Sequence, residues 1–312
     1  MTIRALKRTR DPVVQSPSAY PDYIAPCLAT DIGRPPTGPK WVHEIKFDGF
    51  RSQLHLRNDA VTIYSRGGHD WTDRYRSVAD QAVQLNAKHL VIDGEMVVLR
   101  EDGTCDYWAL HKGARGSLSD RVTYFAFDLL YQDGEDLRRR PFLARKELLR
   151  KALKTSSDRI RYVEHFESDG PTVWAHAHKI NVEGIVSKRI DSPYRSTRGM
   201  DWIKTPCQYR EILVVAGMAF DGSVFSGLYL ARWTNGALVY AGKVEDGFSE
   251  ETVARLRLRL DPLVNRRQPV ATASKPNAMW LEPIVKVRIL HRGGLTAERV
   301  RRPIFEGFVE QA

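Results

Sequence analysis

Glu44-Ile45-Lys46-Phe47-Asp48-Gly49-Phe50-Arg51 sets a lysine between two bulky apolar residues and follows it, five positions on, with an arginine. Trp41 and Val42 lead in, and Leu54 and Leu56 alternate beyond, so the stretch reads as two strands meeting at an Asp48-Gly49 turn. A strand end is a rigid place from which to present an amine, with the arginine returning nearby on the second strand. A lysine is nucleophilic only when neutral, and a reference pKa of about 10.4 leaves roughly 0.1 % neutral at about pH 7.4. Apolar neighbours and nearby cations are the physical means of lowering that value. The plainer alternative is a surface lysine paired with Glu44 or Asp48, and the motifs downstream decide between the two.

The 312 residues allow two ordinary domains, each with its own core. With 42 % hydrophobic and 28 % charged residues, the composition is that of a globular protein. No run of eighteen apolar residues occurs, so no membrane span is expected, and the basic N-terminus lacks the apolar stretch of a secretory signal. Cys27, Cys105 and Cys207 are far apart and odd in number, which supports neither a disulfide framework nor a zinc site and points to the cytoplasm. Forty-eight Lys plus Arg against thirty-eight Asp plus Glu give +10, an excess that favours a polyanionic partner such as nucleic acid.

Along the chain, residues 1–22 read as a flexible arm, 23–208 as a mixed α+β domain with antiparallel sheets, and 209–312 as an all-β barrel. In the first domain, strands are expected at Val61 to Ser65, at His89 to Arg100 (two strands broken at Asp93-Gly94) and at Val122 to Asp128. Further strands fit Ile160 to Phe166, Gly184 to Lys188 and Trp202 to Lys204, with helices over Ser77 to Leu85, Pro141 to Leu153 and Val173 to Ile180. Beyond Tyr209, three β-rich runs are joined by Asp221-Gly222 and Asn235-Gly236, both hairpin signals. A helix capped by Ser249 and strands over Trp280 to Arg288 and Ile304 to Phe308 follow. That order is the order of a five-stranded OB-fold, and the periodicity fits a generic small barrel as well.

Five stretches downstream of Lys46 carry chemistry. Ser65-Arg66-Gly67-Gly68 is a glycine-rich turn with an arginine, suited to close phosphate approach. Asp93-Gly94-Glu95 places two carboxylates at one strand junction, and Phe125-Ala126-Phe127-Asp128 brings aromatics to a strand end. Glu183-Gly184-Ile185-Val186-Ser187-Lys188 couples an acid to a lysine, and Trp202-Ile203-Lys204 adds another. As an ordered set they supply a nucleophilic amine, hard oxygen ligands, an aromatic face and cations for phosphates.

The series resembles the nucleotidyltransferase motifs of ATP-dependent DNA ligases: K-x-D-G-x-R, S-R-x-G, D-G-E, F-D, E-G-x-x-x-K and W-x-K. It is most similar to the ligase domain of the bacterial multifunctional end-joining ligases, in a stand-alone form. Trp41 to Lys46, Arg195-Ser196 and Arg301-Arg302-Pro303-Ile304-Phe305-Glu306-Gly307 add to the likeness. The resemblance implies that Lys46 takes AMP from ATP, passes it to a 5′-phosphate and lets a 3′-hydroxyl displace it, sealing nicked or broken duplex DNA. It implies catalytic roles for Lys46, Lys188 and Lys204, the last two facing the α-phosphate. Phe127 would stack on adenine, Glu44 and Ile45 would line its edge, and Arg51, Arg66 and Glu95 would hold ribose or phosphate. Asp93, Glu95 and Glu183 would bind Mg²⁺ or Mn²⁺, and Arg51, Arg66, Arg301 and Arg302 would contact DNA. The implied protein is a monomer without membrane partners, open at the linker near Pro206 to Arg210 until substrate closes it.

Two departures stand out. The family's K-x-K strand reads Lys204-Thr205-Pro206, and the tail Phe308-Val309-Glu310-Gln311-Ala312 lacks the family's closing cations. Both fall on phosphate-facing positions, so self-adenylylation is expected to be slower than sealing of a pre-adenylylated nick. The bare lysine motif is shared with RNA ligases and mRNA-capping guanylyltransferases, and the departures also fit a DNA-binding module without catalysis.

Overall fold

The computed structural model describes residues 19–111, 121–272, 277–292 and 299–309. The expected arm up to residue 18 and the tail beyond Val309 lie outside them. In chain order the first unit contains β1 (Leu28–Asp31), β2 (Trp41–Ile45), β3 (Phe50–Arg57), β4 (Ala60–Ser65), α1 (Arg76–Ala82), β5 (His89–Val98) and α2 (Tyr107–His111). It continues with β6 (Val122–Gln132), β7 (Glu135–Asp136), α3 (Phe142–Ala152), β8 (Ile160–Tyr162), β9 (His165–Phe166), α4 (Gly170–Lys179), β10 (Gly184–Arg189) and β11 (Arg198–Pro206). These strands form two sheets, ordered β1-β11-β10-β2-β9 and β4-β3-β5-β6-β7, with β8 added to β6. Only β1–β11 and β6–β8 pair in parallel.

The turn expected at Asp48-Gly49 is not a hairpin. β2 belongs to one sheet and β3 to the other, so the chain steps between sheets across Lys46 to Gly49. Gly49 permits the step, because a β-carbon there would fall on the Met96 carbonyl of β5. A second crossing lies at Val163, so the single strand expected over Ile160 to Phe166 is two short ones in different sheets. Between the sheets lies an apolar cluster that includes Val42, Val91, Tyr131, Phe142 and Trp202. A larger core, with Leu54, Ile63, Ile92, Tyr124 and Leu149, packs α1 and α3 on the far face of the second sheet.

Asp93-Gly94 does not break a strand either. β5 runs through it, slipping register against β6 at Asp93/Gly94. Gly94 lies against the ring of Tyr124, whose hydroxyl donates to the Ser52 carbonyl (3.0 Å) and the Ile92 carbonyl (2.9 Å). The Asp-Gly pair signals close packing here, not a reversal.

The second unit contains β12 (Tyr209–Asp221), β13 (Val224–Thr234), β14 (Ala237–Val244), α5 (Glu250–Leu260), β15 (Ala278–Trp280), β16 (Lys286–Arg292) and β17 (Arg301–Phe308). Its sheet runs β14-β13-β12-β16-β17, with β15 on β12, so the strand expected over Trp280 to Arg288 is interrupted. Val300 N–H donates to the Ala241 carbonyl (2.8 Å) and Phe305 N–H to the Asp246 carbonyl (2.9 Å), which closes the barrel. Ser249 caps α5 by accepting from the Thr252 N–H (3.1 Å), with Glu250 and Glu251 in the first turn.

The two units are closed on each other, not open at the linker. Arg301 of β17 forms an ion pair with Asp48, and its guanidinium lies 3.7 Å from the centroid of the Tyr107 ring. Arg299 lies 5.4 Å from the Trp108 ring, and Arg292 reaches Asp31 at 3.7 Å.

Gly94→Ala would press a β-carbon into the Tyr124 ring and the Phe125 carbonyl. It should lower stability by about 3 kcal/mol in urea unfolding, as overpacking of a close-packed site does. Gly199→Ala, in open space, should stay within about 0.5 kcal/mol; equal effects at the two sites would contradict the packing account.

Candidate active site

A cleft of about 410 Å³ lies where the two sheets meet. Lys46 stands at its centre, at the end of β2. Its backbone N–H donates to the Gly184 carbonyl (2.9 Å), and its Nζ donates to Glu183 Oε2 (2.5 Å). Sheet register then sets the other side chains in rows. Gly184 and Pro206 pair beside Lys46; Glu44, Val186 and Lys204 form the next row; Val42, Lys188 and Trp202 form the one after. At roughly 3.4 Å per residue, Lys188 lies about 14 Å along the strands from the nucleophile's row.

That register sets Lys188 apart from Lys46 along the cleft. Its side chain is buried, with Nζ 2.6 Å from Glu44 Oε2 and 4.4 Å and 4.0 Å from the Phe127 and Trp202 rings. It lines the same cleft as Lys46, toward the end that holds Glu44 and Phe127. Burial lowers its pKa, Glu44 opposes that, and Lys146 adds to it. Lys146 of α3 is the second buried lysine on Glu44, with Nζ 2.7 Å from Oε1 and a hydrogen bond to the Val163 carbonyl (2.6 Å). Both lysines are ion-paired with Glu44, and Glu44 Oε1 and Lys188 Nζ are buried within this cluster. The cluster lies next to the half-buried Phe127 ring.

Asp93 also departs from expectation. Its Oδ1 accepts from Arg51 Nε (3.1 Å), and its Oδ2 accepts from Arg51 Nη2 (2.7 Å) and the Tyr194 hydroxyl (2.6 Å). Asp93 anchors Arg51 and does not line the cleft, so it is not presented as a metal ligand. Arg51 itself lines the cleft, with Nη1 on the Cys27 carbonyl (2.6 Å) and the guanidinium 5.4 Å from the Phe127 ring.

Glu95, two residues along β5, faces the cleft with Glu183. Burial pushes its carboxyl up to about 8, Lys46 and Arg51 pull it down, and Glu183 and Asp93 push it further up. Among the described residues no group of three or more His, Cys, Asp or Glu side chains could hold a metal. Two carboxylates do suit Mg²⁺, which is commonly held by one or two acids together with water and substrate phosphates.

Ile45, Arg66 and Lys204 line the same cleft. Burial lowers the Lys204 pKa, Asp31 opposes that, and Lys46, Arg198 and Arg292 add to it. Arg302 lines the cleft as well, whereas Arg301 sits against Asp48 in a smaller pocket behind Lys46. In this closed form neither Arg51 nor Arg301 is free to meet DNA. Lys146, Arg198 and Arg292 are site residues that the sequence reading passed over. Lys146 had a signal: it sits between Phe142 and Leu149 at helical spacing, on the face that goes inward. Arg198 and Arg292 had none, since their place depends on strand pairing far along the chain.

Residues 30–205 match the family described as ATP dependent DNA ligase domain, and residues 221–311 match the ATP dependent DNA ligase C terminal region. The multifunctional non-homologous end joining protein LigD of Pseudomonas aeruginosa is 33% identical over 306 residues, covering 93% of this chain and 36% of that protein. The SPbeta prophage-derived DNA ligase-like protein LigB of Bacillus subtilis is 27% identical, covering 92% of this chain and 99% of that one. Among solved structures, a mycobacterial DNA ligase D complexed with ATP and MES shares the fold with a TM-score of 0.57 and 28% identity, covering 93% of this chain and 96% of that chain. The chain thus spans little more than a third of the length of the Pseudomonas LigD.

Glu44→Gln would leave two buried lysines without their counter-ion. It should cost about 3–5 kcal/mol in urea unfolding, and Lys146→Met, which spares the Glu44–Lys188 pair, should cost clearly less. Equal losses would show that the three groups are not one charge cluster.

Proposed function

The chain belongs to the ATP-dependent DNA ligases, and from that premise we propose that it seals 3′-hydroxyl/5′-phosphate nicks or breaks in duplex DNA through AMP carried on Lys46. The observation that carries the proposal is the Lys46–Glu183 pair in a cleft whose other end holds Phe127, Glu44 and Lys188. Adenine offers an amino donor beside a ring-nitrogen acceptor. A carboxylate acceptor at Glu44 and a cationic donor at Lys188 suit that edge, and guanine presents the reverse order. Phe127 supplies a face for stacking. This supports ATP over GTP.

With the base at that end, the α-phosphate lies toward Lys46. Nζ forms the bond to phosphorus as the bond to the pyrophosphate oxygen breaks, and the amine gives up a proton, for which Glu183 Oε2 is the adjacent acceptor. The 5′-phosphate at a nick then takes AMP from Nζ, and the 3′-hydroxyl displaces AMP to join the strand. Glu183 and Glu95 are the side chains that would hold Mg²⁺ or Mn²⁺, which when bound supplies charge neutralisation for the phosphates. Lys204 adds a fixed cation in the row next to Lys46. The LigD relatives carry end joining in their name, so breaks as well as nicks are proposed substrates. A reducing compartment such as the cytoplasm fits the three free cysteines. Among the described residues no helix is long and apolar enough to cross a membrane.

Incubation with α-labelled ATP should label the chain covalently, GTP should label it poorly, and Lys46→Ala should lose labelling and sealing while staying folded. Full labelling of Lys46→Ala would remove the proposal. The raised Glu95 pKa gives a second expectation. Below about pH 8 a metal must displace its proton, so Mn²⁺ affinity read by EPR should be close to tenfold tighter at pH 7.5 than at pH 6.5, by linkage. Glu95→Gln should flatten that slope; an unchanged slope would exclude Glu95 as the ligand.

A further inference from the structure

Glu44 and Lys188 line the cleft, and Lys146, the third member of their charge cluster, does not. It comes off α3 from the other side of Glu44 and is 1 % exposed. There it borders a second hollow of about 470 Å³, lined by Leu143, Arg150, Tyr162 and His165 among others. Its ammonium is committed in three directions: to Glu44 Oε1 at 2.7 Å, to the Val163 carbonyl at 2.6 Å and onto the Tyr162 ring at 4.1 Å. An ammonium has three protons, so these partners use its capacity and hold it in one place. Val163 is where the chain crosses between the sheets, so Lys146 takes its position from the frame of the site. Arg150, one helical turn on, is the contrast. It lies over the same Tyr162 ring at 4.9 Å, but it is exposed and pairs with Glu164.

The torsion that turns a glutamate carboxylate is soft, so a carboxylate held by one oxygen is free to swing. Lys188 holds Oε2 at 2.6 Å and Lys146 holds Oε1, so here both oxygens are fixed, and the plane of the group with them. We propose that Lys146 is a positioning residue for base selection: it sets the Glu44 carboxylate so that the cleft takes a 6-aminopurine and refuses a 6-oxopurine. This rests on the reading of Glu44 as the group that meets the amino edge of adenine. An amino group donates to a fixed carboxylate oxygen, whereas a 6-oxo group sets acceptor against acceptor. A carboxylate free to swing escapes that repulsion, and it also makes a poorer bond to the amino group. Lys146 touches neither base nor phosphate. It acts through Glu44, so the transfer step at Lys46 does not depend on it.

The test uses the full chain, freed of bound AMP with pyrophosphate, and follows nucleotidyl transfer to Lys46 by intact mass. The substrates are ATP, inosine triphosphate, which carries a 6-oxo group, and purine riboside triphosphate, which carries neither group. Lys146→Met keeps the bulk of the side chain and removes the ammonium, Lys146→Gln keeps a neutral donor, and Arg150→Met is the control. The preference for ATP over each analogue, as a ratio of second-order rate constants, should fall about tenfold in Lys146→Met. The fall should come from a higher ATP concentration at half-saturation, with the rate at saturating ATP within about threefold of wild type. Lys146→Gln should lie between the two, and Arg150→Met should match wild type. A wild-type preference in Lys146→Met overturns the inference. So does an equal loss on all three nucleotides, which is what lost packing alone would give. If Lys146→Met does not fold, Lys146→Gln carries the same comparison. If the wild-type chain does not prefer ATP over the analogues, the reading of Glu44 falls first, and the inference with it.

Discussion

Lys46 is held at both ends, by its backbone N–H on the Gly184 carbonyl and by its ammonium on Glu183, the residue just before Gly184. One strand end of β10 thereby fixes the main chain and the reactive group of its neighbour. This matters because the chain leaves β2 immediately afterwards and crosses to the other sheet. A lysine at such a crossing would otherwise sample many rotamers at a cost of up to about 2 kcal/mol for each ordering event. Tying it to β10 sets the place of the nucleophile before any substrate arrives. The cleft, the rows of side chains along it and the position of the barrel all take their reference from that point.

The site is built around charges that water does not reach. Glu44 with Lys146 and Lys188, and Asp128 with Arg145, are buried ion pairs, the latter bidentate at 2.8 Å and 2.8 Å. Buried pairs add little net stability, since desolvation offsets most of the attraction, but removing one partner is expensive. They act here as position markers. Arg145 also donates to the Arg140 and Ser192 carbonyls, which ties α3 to the loop after β10. Lys146, next to it, carries that rigidity to Glu44. Arg51, locked by Asp93 and Tyr194, does the same beside Phe127.

Closure of the barrel adds the remaining charge. The Arg301–Asp48 pair and the Tyr107 ring bring β17 against the nucleophile's own loop, and the bulge at Arg302 turns a second arginine into the cleft. A left-handed non-glycine residue costs on the order of 1 kcal/mol or more, and such strain is found where a side chain must be aimed. Opening the linker would withdraw Arg292, Arg301 and Arg302 together. The cleft around Lys46 is therefore a composite of two units, and its Glu44–Lys188 end belongs to one.

Much of this was legible in the sequence, because alternation, turn chemistry and motif spacing are local. The order of strands and helices, the OB-fold and the resemblance to ATP-dependent DNA ligases follow from such patterns. So does the set of candidates around Lys46, most of which the fold brings to one cleft. What the sequence could not decide was pairing. Asp48-Gly49 and Asp93-Gly94 look like turns because Asp-Gly is good turn chemistry, yet one is a crossing between sheets and the other lies inside a strand against Tyr124. Lys188 and Lys204 look equivalent in the motifs, and only the register of β10 against β2 and β11 puts one beside Phe127 and Trp202 and the other in the row next to Lys46. Asp93 and Glu95 point the same way along β5, but Arg51 and Tyr194, distant in sequence, occupy the first and leave the second open to the cleft. Local chemistry settles what each residue is able to do, and non-local contacts, made only when the chain closes on itself, settle which of those capacities face the substrate.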